Sequence, residues 1–214
     1  MTRFIPLMFD LNNKNIVIIG GGHVAERRIR LLLESGGKIT VTSPKITQEI
    51  RNYWEQGKVN WLKKYFEPND ISNAFLVIIA TNNPQVNELV LQYAQKNTLI
   101  NDATNASNGN VHFPTIMKRG RLTISVATNG ASPMLTKKIK QQLEATFPKN
   151  YGEYVDFLYE CRELLKNSPL PKEEQQKLLK QLLDDDFHSK TNQQQFLSWL
   201  KNLQNNEKGQ GDLN

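Results

Sequence analysis

The sequence has a single cysteine, Cys161, in 214 residues, so it can form neither a disulfide within the chain nor a cage of several thiolates around a metal. That suits a reducing compartment, and the cytoplasm is the expected location. Long apolar runs are missing as well. The longest, Phe75 to Ala80, falls far short of the roughly 20 residues that cross a bilayer, and the opening stretch MTRFIPLMFD lacks the apolar core of a signal peptide. Neither membrane insertion nor secretion is expected. The few histidines make no H-x-x-x-H or His/Cys pair, so no fixed metal site is expected. No tyrosine begins a Tyr-x-x-x-Lys pair, which removes the proton-transfer couple of the short-chain alcohol dehydrogenases. No helix-turn-helix or aromatic stacking platform is recognisable as a nucleic-acid reading head.

Positive charge is present in excess but is unevenly placed. The formal net charge is +6, yet residues 1–113 hold 12 Lys/Arg against 9 Asp/Glu, residues 114–150 hold 7 against 1, and residues 151–214 hold 8 against 11. One short segment therefore matches the whole excess, and it contains Lys118, Arg119, Arg121, Lys137, Lys138 and Lys140. Such a segment suits a polyanion, either nucleic acid or a small molecule with many carboxylates, unless it is only a solvated basic helix face.

Residues 15 to 128 alternate short β-branched runs with helix-period stretches, the pattern of βαβ units on a parallel sheet. Strands are expected at Asn15 to Gly20, Lys38 to Ser43, Val59 to Lys63, Phe75 to Ala80, Thr98 to Asp102 and Leu122 to Ala127. Between them, Val24 to Ser35 is helical in period and stops at Gly36 and Gly37. Pro84 opens another helix, for which Asn97 is a suitable end. Asn129 and Gly130 mark a turn, after which Ser132 and Pro133 read as the cap and first residue of a helix that Pro148 ends. From Tyr151 onward there is no strand signal, and apolar residues recur at helical spacing. The fold class is α/β, a Rossmann-like parallel-sheet domain over 1–113, a short segment over 114–150 and a helical module over 151–205. The polar stretch 206–214 is expected to be disordered.

The motif with most chemical content is IVIIGGGHVAERR. Gly20, Gly22 and Ala25 match G-x-G-x-x-A between a strand and a helix. Gly20 permits the tight turn, Gly22 lets a pyrophosphate approach the backbone, and Ala25 keeps the helix close to the sheet. The free N–H groups of that helix, at His23 and Val24, then face the phosphate. The acidic residue that often holds the adenosine ribose at the end of the second strand is missing, since the sequence there reads VTSPK. Ser43 could bond the ribose instead, with Pro44 beside it, and Lys45 could meet a 2′-phosphate, so this rule leaves NAD against NADP open. Thr81 and Asn82 follow the fourth strand, at the edge where an open α/β sheet binds its ligand.

Taken together, DLNNKNIVIIGGGHVAERRIRLLLESGG, ATNNPQVN, GNVHFPTIMKRGRLTISVATNGASP and the helical tail resemble the precorrin-2 dehydrogenase family over nearly the whole chain. The combination is specific: a GGG-x-VA-x-R loop after a strand, an AT-x-x-x-x-x-N element and a basic strand leading to G-x-SP. The resemblance implies NAD-dependent oxidation of precorrin-2 to sirohydrochlorin in sirohaem synthesis. It implies a tetrapyrrole substrate whose carboxylates would meet His112, Lys118, Arg119, Arg121, Ser132 and Lys138. It also implies that 114–150 is a dimerisation segment, that the protein is a homodimer, and that the helical tail helps cover the substrate. Some relatives are fused to a methyltransferase, and this chain is expected to be the short, stand-alone form.

The family's catalytic aspartate falls on or beside Thr104 and Asn105 in NDATNASNGN, where this sequence is not acidic. Asp102 is the nearest carboxylate, so Asp102 and Asn105 are the candidate catalytic residues, unless they only cap and shape the loop. Iron insertion, which some relatives perform, is accordingly expected to be weak or absent. The main alternative is a Rossmann protein that senses NAD and binds nucleic acid through 114–150. An ordinary dehydrogenase of small alcohols is a further one.

Overall fold

The computed structural model describes residues 4 to 208, and the chain divides into two compact units, Met1–Phe113 and Pro114–Asn214. In the first, strands β1 (Asn15–Ile19), β2 (Lys38–Thr42), β3 (Asn60–Leu62), β4 (Leu76–Ile79) and β5 (Leu99–Asp102) form a parallel sheet in the order β3-β2-β1-β4-β5. Helices α1 (His23–Leu32), α2 (Gln48–Glu55) and α3 (Pro84–Tyr93) flank it. This is the Rossmann-like α/β architecture that the alternation of strand and helix signals predicts.

Burial accounts for the strand sequences. β1 and β4 lie inside the sheet, read NIVII and LVII, and bury every residue but Asn15, as strands covered on both faces must. Ile16, Ile18, Ile39, Val41 and Ile78 pack on one face with Ala25, Ile29 and Ile50. Val17, Ile19, Val77 and Ile79 pack on the other with Ile71 and Val90. The period-2 alternation of a strand divides the two sets.

The strand order reverses direction at β1, and such a switch opens a crevice beyond the carboxyl ends of the strands. Register makes that edge flush. Leu62, Thr42, Ile19, Ile79 and Asp102, the final residues of the five strands, are lateral partners in one row.

The expected sixth strand does not join this sheet. It is the second arm of an antiparallel hairpin in the other unit, β6 (Thr115–Arg119) with β7 (Leu122–Val126). The reason is the connection: only Gly120, at φ +54°, and Arg121 separate the arms, whereas a parallel neighbour needs a crossover of about a dozen residues or more. Asn129 and Gly130 then turn with positive φ. Helix α4 (Pro133–Thr146) follows, with the Ser132 hydroxyl oxygen accepting from the Leu135 N–H at 3.1 Å.

Helices α5 (Tyr151–Lys166), α6 (Lys172–Gln181) and α7 (Lys190–Lys208) enclose Tyr154, Phe157, Cys161, Leu165, Leu182 and Leu200. Gly152 lets the first turn of α5 rest directly on the hairpin, since a Cβ there would lie 2.9 Å from the Gly120 nitrogen. Burial pushes the Cys161 thiol up to about 12, which leaves it unreactive. α7 continues to Lys208, into the stretch expected to lack structure, and residues 209–214 lie outside the described residues.

Candidate functional site

The three glycines between β1 and α1 have separate jobs. Gly20 has φ +115°, and a Cβ there would sit 2.3 Å from the Ala80 carbonyl oxygen. A Cβ on Gly21 would sit 2.2 Å from the Lys45 carbonyl oxygen. Both glycines hold the loop against its neighbours. Gly22 differs, because a Cβ there would meet nothing within 4 Å. It is the N-cap of α1 and brings no capping side chain, so the first-turn N–H groups keep their capacity for an anion. His23 points outward, with 92% of its side chain exposed and Nδ1 3.4 Å from Glu26.

These residues open into a cleft of about 680 Å³. Gly20, Gly22, His23, Val24, Ser43, Pro44, Lys45, Thr81 and Asn82, the nine residues expected to meet a dinucleotide, all line it. Ser43, however, already donates its hydroxyl proton to the Lys45 carbonyl at 2.7 Å, while its own carbonyl accepts from the Trp61 indole at 2.9 Å. The neighbouring hydroxyl is the unused one. Thr42 is 2% exposed, lines the same cleft, and its Oγ1 is buried without a hydrogen-bond partner. Sequence reasoning missed it, although the last residue of a strand flanking the switch point is a natural place to look.

A second cavity of about 590 Å³ lies at the ends of β4 and β5 and shares Thr81 and Asn82 with the first. Asp102, Thr104, Asn105 and Asn108 line it. Asp102 is 2% exposed, and its Oδ1 accepts from the Thr104 N–H at 2.8 Å, the Thr104 hydroxyl at 2.7 Å and the Asn105 N–H at 3.0 Å. Its Oδ2 accepts from Asn108 Nδ2 at 3.1 Å. Burial alone would raise this carboxyl, but the donors at Asn105, Thr104 and Asn108 outweigh it and hold the group below the ordinary carboxylate range. Asp102 is therefore a fixed anion that shapes the loop. The Asn105 side-chain oxygen is also engaged, accepting from the Ser107 N–H at 3.1 Å and hydroxyl at 2.6 Å. His112 places Nε2 3.0 Å from the Ala106 carbonyl oxygen and its ring centroid 4.0 Å from that of Phe4, tilted by 33°, bracing the same loop.

The remaining candidates lie in the second unit. Lys118 and Lys138 are exposed. Arg119 is committed to the fold, with Nε donating to the Phe147 carbonyl at 2.9 Å. Arg121 pairs with Asp156 at 3.2 Å and lies 3.6 Å over the Tyr159 ring, partners on α5 that no sequence pattern announced. The Ser132 side chain is occupied as the α4 cap.

Comparison with known proteins covers both units. Residues 7–115 match a family described as "Putative NAD(P)-binding", residues 119–146 one described as "Sirohaem biosynthesis protein central", and residues 151–196 one described as "SirC C-terminal domain". The chain is 36% identical to a precorrin-2 dehydrogenase of Priestia megaterium over 196 residues, 91% of this chain and 97% of that one. It is 38% identical to a precorrin-2 dehydrogenase of Bacillus subtilis over 158 residues, 74% and 98% of the two chains. A siroheme synthase of Actinobacillus pleuropneumoniae is 33% identical over 77% of this chain, which corresponds to 34% of that longer protein. Among solved structures, one described as "SirC, precorrin-2 dehydrogenase" superposes with a TM-score of 0.83 at 34% identity, covering 93% of this chain and all of the other.

Proposed function

The chain belongs to the precorrin-2 dehydrogenase family, and on that premise we propose that it oxidises precorrin-2 to sirohydrochlorin with NAD as the hydride acceptor, in sirohaem synthesis. The observation that carries this reading is the cleft over Gly22. It combines an open approach to the backbone and an uncapped helix start in one cavity, and the pyrophosphate of a dinucleotide supplies the partner for both.

In this reading the Gly22, His23 and Val24 backbone receives the pyrophosphate, and the Thr42 hydroxyl hydrogen-bonds the adenosine ribose. Thr81 and Asn82 line the passage to the second cavity. When bound, NAD supplies the hydride acceptor. The protein's part is to hold the reduced macrocycle in place and to keep water out of the reacting region. Asp102, fixed as an anion, acts by shaping the loop that carries Asn105, and Asn105 lines the cavity where the reaction takes place. Positioning of this kind can supply much of an enzymic rate without a strong base. Iron insertion asks more, because two pyrrole protons must leave and a metal must be received, tasks suited to a free carboxylate. Asp102 is already bonded and Asn105 is not acidic, so this protein is a dehydrogenase with weak or absent ferrochelatase activity.

The basic segment belongs to the same reading. Lys118 and Lys138 meet substrate carboxylates, with Arg119, Arg121 and Ser132 at or supporting the same site, and the match of 119–146 to a sirohaem family supports a tetrapyrrole there over nucleic acid. The protein acts as a homodimer through 114–150, which is supported by Met134 and Leu135, 84% and 48% exposed on α4. Its cytoplasmic location is supported by the single buried cysteine. Anaerobic incubation with precorrin-2 and NAD, followed by the spectra of sirohydrochlorin and NADH, tests the activity. Light scattering at two concentrations tests the dimer.

A further inference from the structure

The asparagine of the AT-x-x-x-x-x-N element is Asn87, and the activity just described leaves it without a task. It sits one turn into α3 and is half-buried. Its Nδ2 donates twice, to the Thr81 carbonyl at 3.2 Å and to the Thr104 hydroxyl oxygen at 3.2 Å. With that lone pair engaged, the Thr104 hydroxyl donates onward to Asp102 at 2.7 Å. The result is a directed chain, Asn87 to Thr104 to Asp102. Asp102 in turn collects the N–H of Asn105. Directed chains of this kind polarise each bond in sequence.

Asn87 therefore joins two loops. Thr81 lines both cavities, whereas Thr104 and Asn105 line only the second. The Asn87 amide is a side-chain link between the loop after β4 and the loop after β5. Helix α3 does not need it. The helix is started by Pro84, capped by Asn83 accepting from the Gln85 and Val86 N–H groups, and anchored by buried Val90. Asn87 Oδ1 is meanwhile buried without a partner, an unfavourable arrangement for a residue kept only for stability.

We propose that Asn87 is the positioning residue that couples the dinucleotide cleft to the tetrapyrrole cavity, through its two N–H bonds to Thr81 and Thr104. The proposal rests on the dehydrogenase reading above. When the dinucleotide settles against Thr81, the loop carrying Asn105 is held in register with it.

The test uses Asn87→Leu, similar in size without the amide, and Asn87→Asp, the same shape without the N–H donors. Sirohydrochlorin Kd is measured by absorbance titration with and without NAD, beside NAD Kd, melting temperature and steady-state rates. In the wild type, NAD tightens sirohydrochlorin binding by about fivefold or more. In both variants that factor falls to about one, and kcat falls by roughly 100-fold, the scale of a misplacement of about 1 Å. NAD Kd stays within about threefold, since Asn87 lines the tetrapyrrole cavity but not the dinucleotide cleft. Coupling retained in Asn87→Asp, or no coupling in the wild type, overturns the proposal. Melting far below the wild type in both variants overturns it too, by showing a structural brace. If the wild type neither binds NAD nor oxidises precorrin-2, the dehydrogenase reading fails instead.

Discussion

Thr42 and Asp102 end β2 and β5 in the same lateral row of the sheet, three strands apart, and each is only 2% exposed. Their partners differ completely. Asp102 accepts four hydrogen bonds, whereas the Thr42 hydroxyl has none. Three strand spacings separate them, about 14 Å, with apolar Ile19 and Ile79 between. At one end of this edge the polar group is buried without a partner, and at the other it organises a loop.

Thr42→Val tests the first end. Valine has the same shape and removes a buried unpaired hydroxyl, so the variant melts at or above the wild-type temperature. NAD binding weakens about three- to tenfold, the worth of one ordinary hydrogen bond. Calorimetry gives the affinity, and an unchanged Kd removes Thr42 from the site.

The glycines separate binding from folding. Gly22→Val folds normally, because its Cβ meets nothing, and loses NAD binding because the side chain occupies the approach to the backbone. Gly20→Ala instead loses at least about 1–3 kcal/mol of stability from the positive φ, in addition to the clash with Ala80. Circular dichroism melts with NAD titrations read both effects; an unfolded Gly22→Val protein or an unperturbed Gly20→Ala protein contradicts them.

These contrasts show what the sequence made legible. The sheet, the glycine loop and the α4 cap follow from patterns local in the chain, strand periodicity and capping residues, and the structure has them. The Leu122 strand is legible in the sequence but its partner is not, because Thr115 to Arg119 gains its meaning only from pairing across Gly120. Ser43 and Thr42 differ only in three dimensions, where the Ser43 hydroxyl turns back to the Lys45 carbonyl. The Asn87 link spans 17 residues to Thr104, and the Arg121 partners Asp156 and Tyr159 lie on a later helix. Contacts of that range are set by tertiary packing, which neither periodicity nor capping rules encode.

Asp102 gives the pH dependence. Its folded carboxyl is held below the usual range, so the stability it contributes is complete above the unfolded value near about 3.9 and is lost as pH falls through the folded one. Asp102→Asn lowers stability at neutral pH by about 1–3 kcal/mol and flattens the acid limb of the melting profile. Asp102→Ala reduces oxidation only moderately, and Asn105→Asp is tolerated. From about pH 6 to 8, the rates of wild type and Asp102→Asn run parallel; an ionisation in that window lost with Asp102 would make it an acid–base group.

Charge reversal separates the basic residues. Lys138→Glu raises the precorrin-2 KM severalfold, and the effect shrinks as salt is added. Arg121→Glu also loses its contacts with Asp156 and Tyr159, so it alters the melting temperature as well as KM. A Lys138→Glu enzyme with wild-type KM at low salt would remove that lysine from the substrate site.

The most direct measurement is an anaerobic assay of the purified wild-type protein with precorrin-2 and NAD, following sirohydrochlorin and NADH in the same cuvette, with a parallel incubation of sirohydrochlorin and ferrous iron. Sirohydrochlorin and NADH are expected to appear in equal amounts, with little or no sirohaem in the second reaction. Absence of NADH formation would contradict the dehydrogenase assignment, and rapid iron insertion abolished by Asp102→Ala would contradict the role given to Asp102 as a fixed, loop-shaping anion.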